Sequence, residues 1–310
     1  MAGNPALRSA PSVVAIFGPT ASGKTAVAEA VSARVAGEVV SADSMQAYRG
    51  LPILTAQPES PTRLVGIWPL SHEGSVAEYA QLAHAAIDDL LAAGRTPVVV
   101  GGTGLYLRAA LAELALPPAP EPGARERWLR LYAELGAGAA HARLAELDPK
   151  AAAAIHPNDR RRVVRALELA EVGESLAPAS DRLWGGETRR PTLVVGLDVP
   201  GAVLQERIAE RTRAMFEAGV QDEVRRALAS PISQTARKTL GIDEVATRPA
   251  SEAIEAIAAR TRKYAAYQRK WMRRIPGIVM VDADRPPGEI ADDIVTLART
   301  RERLPRHGGA

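Results

Sequence analysis

The chain has 310 residues, 46% of them hydrophobic and 24% charged, with a formal net charge of +3; this is globular composition, enough for one large core or two smaller ones. It contains no cysteine, which excludes disulfides, thiolate catalysis and cysteine-based zinc sites and fits a reducing compartment. No apolar N-terminal segment has signal-peptide character and no run approaches the ~20 residues of a membrane span, so a cytoplasmic protein without a membrane partner is expected, and no heptad pattern demands more than a monomer.

Residues 1–11 read as a loose tail. Val13-Val14-Ala15-Ile16-Phe17 is apolar throughout and reads as a buried strand. It leads into Gly18-Pro19-Thr20-Ala21-Ser22-Gly23-Lys24-Thr25, which fits G-x-x-x-x-G-K-[ST], and then into a helical stretch at 26–31. Strand, loop and helix give the motif its phosphate-cradling context. The loop turns backbone N–H groups inward and the helix N-terminus adds partial positive charge. Lys24 brings a full charge and the Thr25 hydroxyl can ligate Mg²⁺. The loop specifies a diphosphate or polyphosphate and leaves open which bond breaks.

A second strand, 38–41, ends in Asp43-Ser44-Met45-Gln46. Ligands of open α/β sheets sit beyond the carboxyl ends of strands, so Asp43 falls at the rim that carries the phosphate loop. Its alternative role is a helix N-cap. Residues 49–71 are Pro-rich and irregular. Ser75 can cap a helix whose buried face carries Val76, Tyr79, Leu82, Ala83, Ala86, Leu90 and Leu91 before Gly94. The apolar strand 97–100 is expected to be central. It opens into Gly101-Gly102-Thr103-Gly104, either a plain turn or a close backbone approach to a ligand, with Thr103 able to hydrogen-bond it.

Four prolines, at 117, 118, 120 and 122, have hinge composition. Residues 124–173 read as helices. Trp128, Leu131 and Leu135 share one face, and Leu144 and Leu147 another. Pro157-Asn158-Asp159 starts a helix that places Arg161 and Arg165 on one side and Val163 with Leu167 on another. Residues 117–190 therefore read as a helical insertion in an α/β core made of 12–116 and 191–303. The core resumes with strand 192–198, helices 202–217 and 221–229, and a loop at 231–240 carrying Arg237 and Lys238. A long helix at 250–274 ends at Pro276-Gly277. Strand 278–282, helix 290–301 and a tail at 304–310 close the chain. Arginines cluster at 160–162 with 165, at 189–190 and through 260–274, which suits phosphate backbones as well as a solvated face.

A phosphate loop beside a strand-end carboxylate points to group transfer, with Asp43 as general base on an acceptor. In a kinase the acceptor attacks phosphorus; in prenyl transfer it attacks carbon and a whole diphosphate leaves. The residues alone leave both open. Further motifs narrow the choice. They are Ser41-Ala-Asp-Ser-Met-Gln46 with Tyr48, Val100-Gly-Gly-Thr-Gly-Leu-Tyr106, and His156-Pro-Asn-Asp159 with Arg165-Ala-Leu-Glu168. Met215, Gly219 and Glu223-Val224 follow, then Ala236-Arg237 with Gly241, and Thr261-Arg262 with Gln268 and Trp271-Met272-Arg273. In this order, from about Val13 to Arg274, the chain resembles the tRNA dimethylallyltransferases.

The resemblance implies a P-loop NTPase-like parallel sheet flanked by helices, with a helical insertion domain. It implies dimethylallyl diphosphate as donor and, as acceptor, the exocyclic amine of the adenine 3′ of the anticodon in tRNA. Asp43 matches the general base. Loop residues 18–25, Lys24, Mg²⁺ on Thr25 and Arg237 would hold the departing diphosphate, with Arg211 a second candidate whose alternative is a surface salt bridge. Asp43, Ser44, Met45, Gln46, Thr103, Arg125, Arg161, Arg162, Val163, Val164 and Arg165 would contact tRNA, and the Arg-rich insertion would close over the anticodon arm. The chain departs from the family pattern at Gln57, Thr62, Ile242, Ala266 and Tyr267, where basic side chains at 57 and at 266–267 are missing. Competing readings are a small-molecule kinase using Asp198 to organise Mg²⁺, a prenyltransferase acting on free AMP or ADP, and an RNA-binding protein that senses a nucleotide.

Overall fold

The structure, a computed structural model, describes residues 11–114, 116, 121, 123–176 and 185–301. The prolines at 117, 118, 120 and 122 and the expected tails, apart from Pro11, lie outside the described residues. The chain divides into two compact units, Met1–Glu113 with Trp184–Ala310, and Leu114–Leu183. Among the described residues no helix is long and apolar enough to cross a membrane.

The first unit is built on five parallel strands, β1 (Val13–Phe17), β2 (Gly37–Ser41), β3 (Thr96–Gly101), β4 (Thr192–Asp198) and β5 (Val279–Asp282), in the order β2-β3-β1-β4-β5. Its helices are α1 (Lys24–Arg34), α2 (Pro52–Thr55), α3 (Val76–Ala92), α4 (Gly104–Leu111), α8 (Gly201–Glu217), α9 (Val220–Leu228), α10 (Ile242–Thr247), α11 (Ala250–Met272) and α12 (Pro287–Arg301). The second unit holds α5 (Ala124–Leu147), α6 (Pro149–Ala154) and α7 (Arg160–Glu171).

Every residue of β1 is buried, as a strand covered on both faces requires. Val14 and Ile16 pack with Val27, Ala28 and Val31 of α1 and with Ile290, Ala291 and Ile294 of α12. The expectation of a central β3 holds only as an interior position: the middle strand is β1, flanked by β3 and β4. Both runs are equally apolar, so composition does not order them. Ser75 caps α3 as expected, its hydroxyl accepting from Glu78 N at 3.1 Å, which satisfies one orphan donor of the first turn. From α3, the Tyr79 hydroxyl donates to Ser41 O at 2.8 Å and pins the carboxyl end of β2.

Three short helices, α2, α4 and α10, escape a reading by periodicity because each is under three turns long. The second unit also corrects the facing of α5. Gly136 interrupts that helix with φ 81° and ψ 169°, so residues on either side of it do not keep one 3.6-residue phase. Leu135 and Leu147 end up exposed. The core is made instead by Ala140, Leu144, Ala151, Ala152, Ile155, Val163, Ala166 and Leu167, with Trp128, Leu131 and Tyr132 packed against it. Asp159 caps α7, accepting from Arg162 N at 3.1 Å.

Candidate functional site

The loop of residues 18–25 joins β1 to α1. Ala21 (φ 64°) and Gly23 (φ 79°) are both left-handed, which curls the chain back on itself; Gly23 adopts this without a Cβ penalty. No side chain caps the N-terminus of α1, so its positive end and first-turn N–H groups remain for an anion. Lys24 Nζ donates to Pro19 O at 3.2 Å. Burial brings the Lys24 ammonium down to about 8, against the pull of the Asp43 charge and with the push of Arg211.

A cavity of about 120 Å³ opens beside this loop. Thr20, Lys24, Thr25, Asp43, Arg211, Thr261, Tyr264 and Gln268 give it polar lining, and Leu54, Ile208, Met215, Leu240 and Ile257 an apolar wall. Leu54, Met215, Ile257 and Leu240 belong to one packed cluster, so that wall is backed by core. The polar end offers oxygen donors, the Thr25 hydroxyl and the Asp43 carboxylate. Mg²⁺ is held in this way, through one or two protein oxygens plus substrate phosphates and waters. Among the described residues there is no cluster of three His, Asp or Glu, so the donor set fits an ion carried with a phosphate ligand.

Asp43 is not a helix cap. Residues 44–47 form a turn, and Asp43 Oδ1 accepts from Met45 N at 2.9 Å, an Asx turn that fixes the carboxylate toward the strand ends. Met45 and Gln46 also line the cavity, but the Gln46 amide is engaged locally: it accepts from Ser41 Oγ at 3.0 Å and donates to Ala56 O at 2.8 Å. Gln57 is spent in the same way, donating to Tyr48 O at 2.7 Å and Gln46 O at 3.1 Å.

Thr103 precedes α4. Its hydroxyl meets Ser44 Oγ and Tyr264 OH, each at 3.3 Å, and Ser44 N at 3.4 Å, so it joins the ends of β2 and β3 to α11. Two residues that sequence reasoning left without a role complete the site. Buried Gln268 accepts from Thr20 N at 2.8 Å and donates to Gly102 O at 2.9 Å, tying the phosphate loop to the β3–α4 turn. Burial raises the Tyr264 phenol above its ordinary range, and the Asp43 charge adds to the effect. The available signal was polar residues at 261, 264 and 268, spaced for one face of a helix.

The two arginine candidates separate. Arg211, on α8, lines the cavity and donates from Nη1 to Thr20 Oγ1 at 3.1 Å. Its guanidinium is lowered by burial and partly restored by Asp43. Arg237 is exposed, is absent from the cavity lining, and pairs with Asp243 at 3.0 Å. The structure thus places Arg211 at the cavity and Arg237 outside its lining, and Arg211 is engaged with the phosphate loop rather than in a surface salt bridge. Asp198, the carboxylate of the kinase reading, is half-exposed, lies outside the cavity lining and pairs with Arg269 at 3.5 Å.

In the second unit, Glu168 is fully buried between two arginines. Its Oε1 accepts from Arg125 Nε at 2.9 Å and its Oε2 from Arg165 Nη1 at 2.9 Å. Arg161 and Arg162 are exposed on α7, whereas Val163 and Val164 are buried. The expectation of tRNA contact at 163 and 164 is corrected accordingly: a helix that exposes 161 and 162 turns the next two side chains inward. Substituting Glu168→Gln removes the charge that holds Arg125 and Arg165 side by side. We expect the unfolding free energy to fall by about 1–3 kcal/mol in urea titration; an unchanged midpoint and slope would show that the pair needs no carboxylate.

Comparison with known proteins gives a consistent result. The family model described as IPP transferase matches residues 46–275, and one described as isopentenyl transferase matches residues 11–64. A tRNA dimethylallyltransferase of Streptomyces coelicolor is 43% identical over 283 residues, which cover 87% of this chain and 89% of that protein. One from Thermobifida fusca is 41% identical over 292 residues, covering 88% and 91%. Among solved structures, a tRNA isopentenylpyrophosphate transferase from Bacillus halodurans superposes with a TM-score of 0.67 at 32% identity, covering 94% of this chain and 98% of that one.

Proposed function

The chain belongs to the IPP transferase family of tRNA dimethylallyltransferases, and from that premise we propose that it moves the dimethylallyl group of dimethylallyl diphosphate to the N6 amine of the adenine 3′ of the anticodon, releasing diphosphate. The observation that carries this reading is the mixed lining of the cavity, in which the phosphate loop, Lys24 and Arg211 occur together with a core-backed apolar set of Leu54, Met215, Leu240 and Ile257. That matches a donor that is half charged and half hydrocarbon. The loop then holds what departs from a carbon.

In the reaction the C1–O bond of the donor breaks as the N6–C1 bond forms. The proton of N6 passes to Asp43 as the new bond develops, because an adenine amine is too weak an acid to lose it beforehand. Lys24, Arg211 and the loop N–H groups stabilise the diphosphate charge as it grows. The Thr25 hydroxyl would hold Mg²⁺, which would supply further charge neutralisation when bound. The acceptor base must leave its stack to reach Asp43. Ser44, Met45, Thr103, Arg125, Arg161, Arg162 and Arg165 are the proposed RNA contacts, and the cytoplasm and a monomer the proposed setting.

The test is incubation with labelled dimethylallyl diphosphate, Mg²⁺ and unmodified tRNA, with AMP and ATP in parallel reactions. Label in tRNA is expected. Label in AMP alone would make the enzyme an adenylate prenyltransferase, and ATP turnover without any label would make it a kinase.

The Lys24 ammonium adds a pH dependence. With its pKa lowered to about 8, the charge is present below that pH and lost above it. Donor kcat/KM, which reports the free enzyme, should therefore fall above pH about 8 with a one-proton slope. A flat profile to pH 10 would place the Lys24 charge outside donor capture.

A further inference from the structure

The cavity lining includes Leu54, Thr55 and Ala56, which come from α2 and the residue that ends it. At four residues, this helix is far shorter than one that stands by itself. Its own sequence gives it little help. The residue at its N-cap is Leu51, which offers no side-chain acceptor, and Pro52 at its first turn brings no N–H. The N–H groups of Ile53 and Leu54 are therefore the orphan donors that a cap has to satisfy.

Both are taken by one carboxylate from α9. Glu223 Oε2 accepts from Ile53 N and Oε1 from Leu54 N, each at 2.8 Å. Glu223 is 2% exposed, and a charge is buried that deeply only where hydrogen bonds replace its water. It stands in the first turn of α9, so the positive end of its own helix favours the same charge. The far end of α2 is held as well: Gln46 donates to Ala56 O at 2.8 Å, and Gln57 N to Pro52 O at 3.0 Å. Between these clamps Leu54 lies against Gly241, where an added Cβ would come within 2.8 Å of Leu54 Cδ1. Met215 and Ile257, also in the lining, stand on helices of 17 and 23 residues. Leu54 depends instead on a carboxylate that is itself outside the lining.

We propose that Glu223 is a positioning residue for the hydrocarbon part of the donor: by holding α2 it fixes where Leu54 stands in the cavity, and Leu54 thereby restricts the donor to a short allylic chain. The inference rests on the reading of the ligand as an allylic diphosphate. A hydrocarbon pocket discriminates by the space it leaves, about 10–200-fold for one methylene, so its lining has to keep its place. The Glu223 carboxylate gives a short helix that rigidity.

The experiment measures transfer into an unmodified anticodon stem-loop from dimethylallyl diphosphate and from its ten-carbon homologue, geranyl diphosphate. The Kd of each diphosphate with Mg²⁺ is measured by calorimetry alongside. Leu54→Ala, which leaves only the β-carbon of that side chain, should raise the geranyl-to-dimethylallyl ratio of kcat/KM by about 10–100-fold. Glu223→Gln keeps the shape but turns an NH₂ toward one of the two N–H groups. It should raise the ratio about fivefold and raise KM for the donor without changing KM for RNA. The double variant should match Leu54→Ala within about twofold, because Glu223 acts through Leu54. Glu223→Asp, with the charge on a shorter side chain, should also raise the ratio, and it carries the test if Glu223→Gln does not fold. A merely structural Glu223 would slow both donors alike. A wild-type ratio in the Glu223 variants, a wild-type ratio in Leu54→Ala, or additive effects in the double variant overturns the proposal. Absence of wild-type transfer from either donor overturns the functional reading, and the Kd ratio of the two diphosphates then decides the role of Glu223; failure of both to bind overturns both.

Discussion

Substituting Asp43→Ala will lower dimethylallyl transfer by about 10²–10⁴-fold, the usual contribution of a positioned general base, and leave RNA binding within about threefold. Asp43 is held by the Asx turn to Met45 N at 2.9 Å, and it shares the cavity with Lys24 and Arg211, whose titrations both feel its charge. The carboxylate is in place before the acceptor arrives, and among the described residues no other carboxylate lines the cavity. Single-turnover transfer, measured beside stem-loop binding, separates chemistry from capture. Near-normal turnover in Asp43→Ala would remove the base assignment. A second readout comes from Lys24. Asp43 raises the proton affinity of that ammonium, so Asp43→Asn should move the alkaline limb of donor kcat/KM below pH about 8. A limb that stays in place would mean that the two groups do not communicate.

Substituting Arg211→Ala will cost about 10²–10³-fold in transfer, as removal of one preorganised donor from developing charge does, whereas Arg237→Ala will stay within about threefold. The difference lies in placement. Arg211 is partly buried and anchored to Thr20 Oγ1 on the phosphate loop at 3.1 Å. Arg237 is in an exposed pair with Asp243, an interaction of about 0–1 kcal/mol. Arg211→Lys keeps the charge and loses the planar fork, so it should recover only part of the rate. Steady-state transfer with donor and RNA varied separately reads all three. The reverse order of losses would return the leaving-group role to Arg237.

Local order made much of the site visible before the fold was known. The phosphate loop is contiguous, and its strand and helix flank it in sequence, so motif and context are read together. Asp43 could be placed at the same rim because a strand end fixes where the next residues emerge. Ser75 was legible because a cap acts on its own first turn. Gln268 was not: its partners Thr20 and Gly102 lie 248 and 166 positions away. The contact from Arg211 to Thr20 spans 191 positions. The leucines at 135 and 147 misled because each ends a helical stretch: Leu135 adjoins Gly136, where the helix is interrupted, and Leu147 is the last residue of α5.

The chain's own residues thus determine that a diphosphate or polyphosphate site is built, that a carboxylate stands beside it and that basic helices are available for a polyanion, since each follows from short-range backbone geometry and side-chain chemistry. Tertiary structure decides which arginine lines the cavity, that Gln268 bridges two loops, that apolar residues line the cavity, and that β1 rather than β3 is the middle strand. These depend on which distant segments pack together, and hydrophobic burial selects that packing through many weak, non-directional contacts that leave no single residue as their signature.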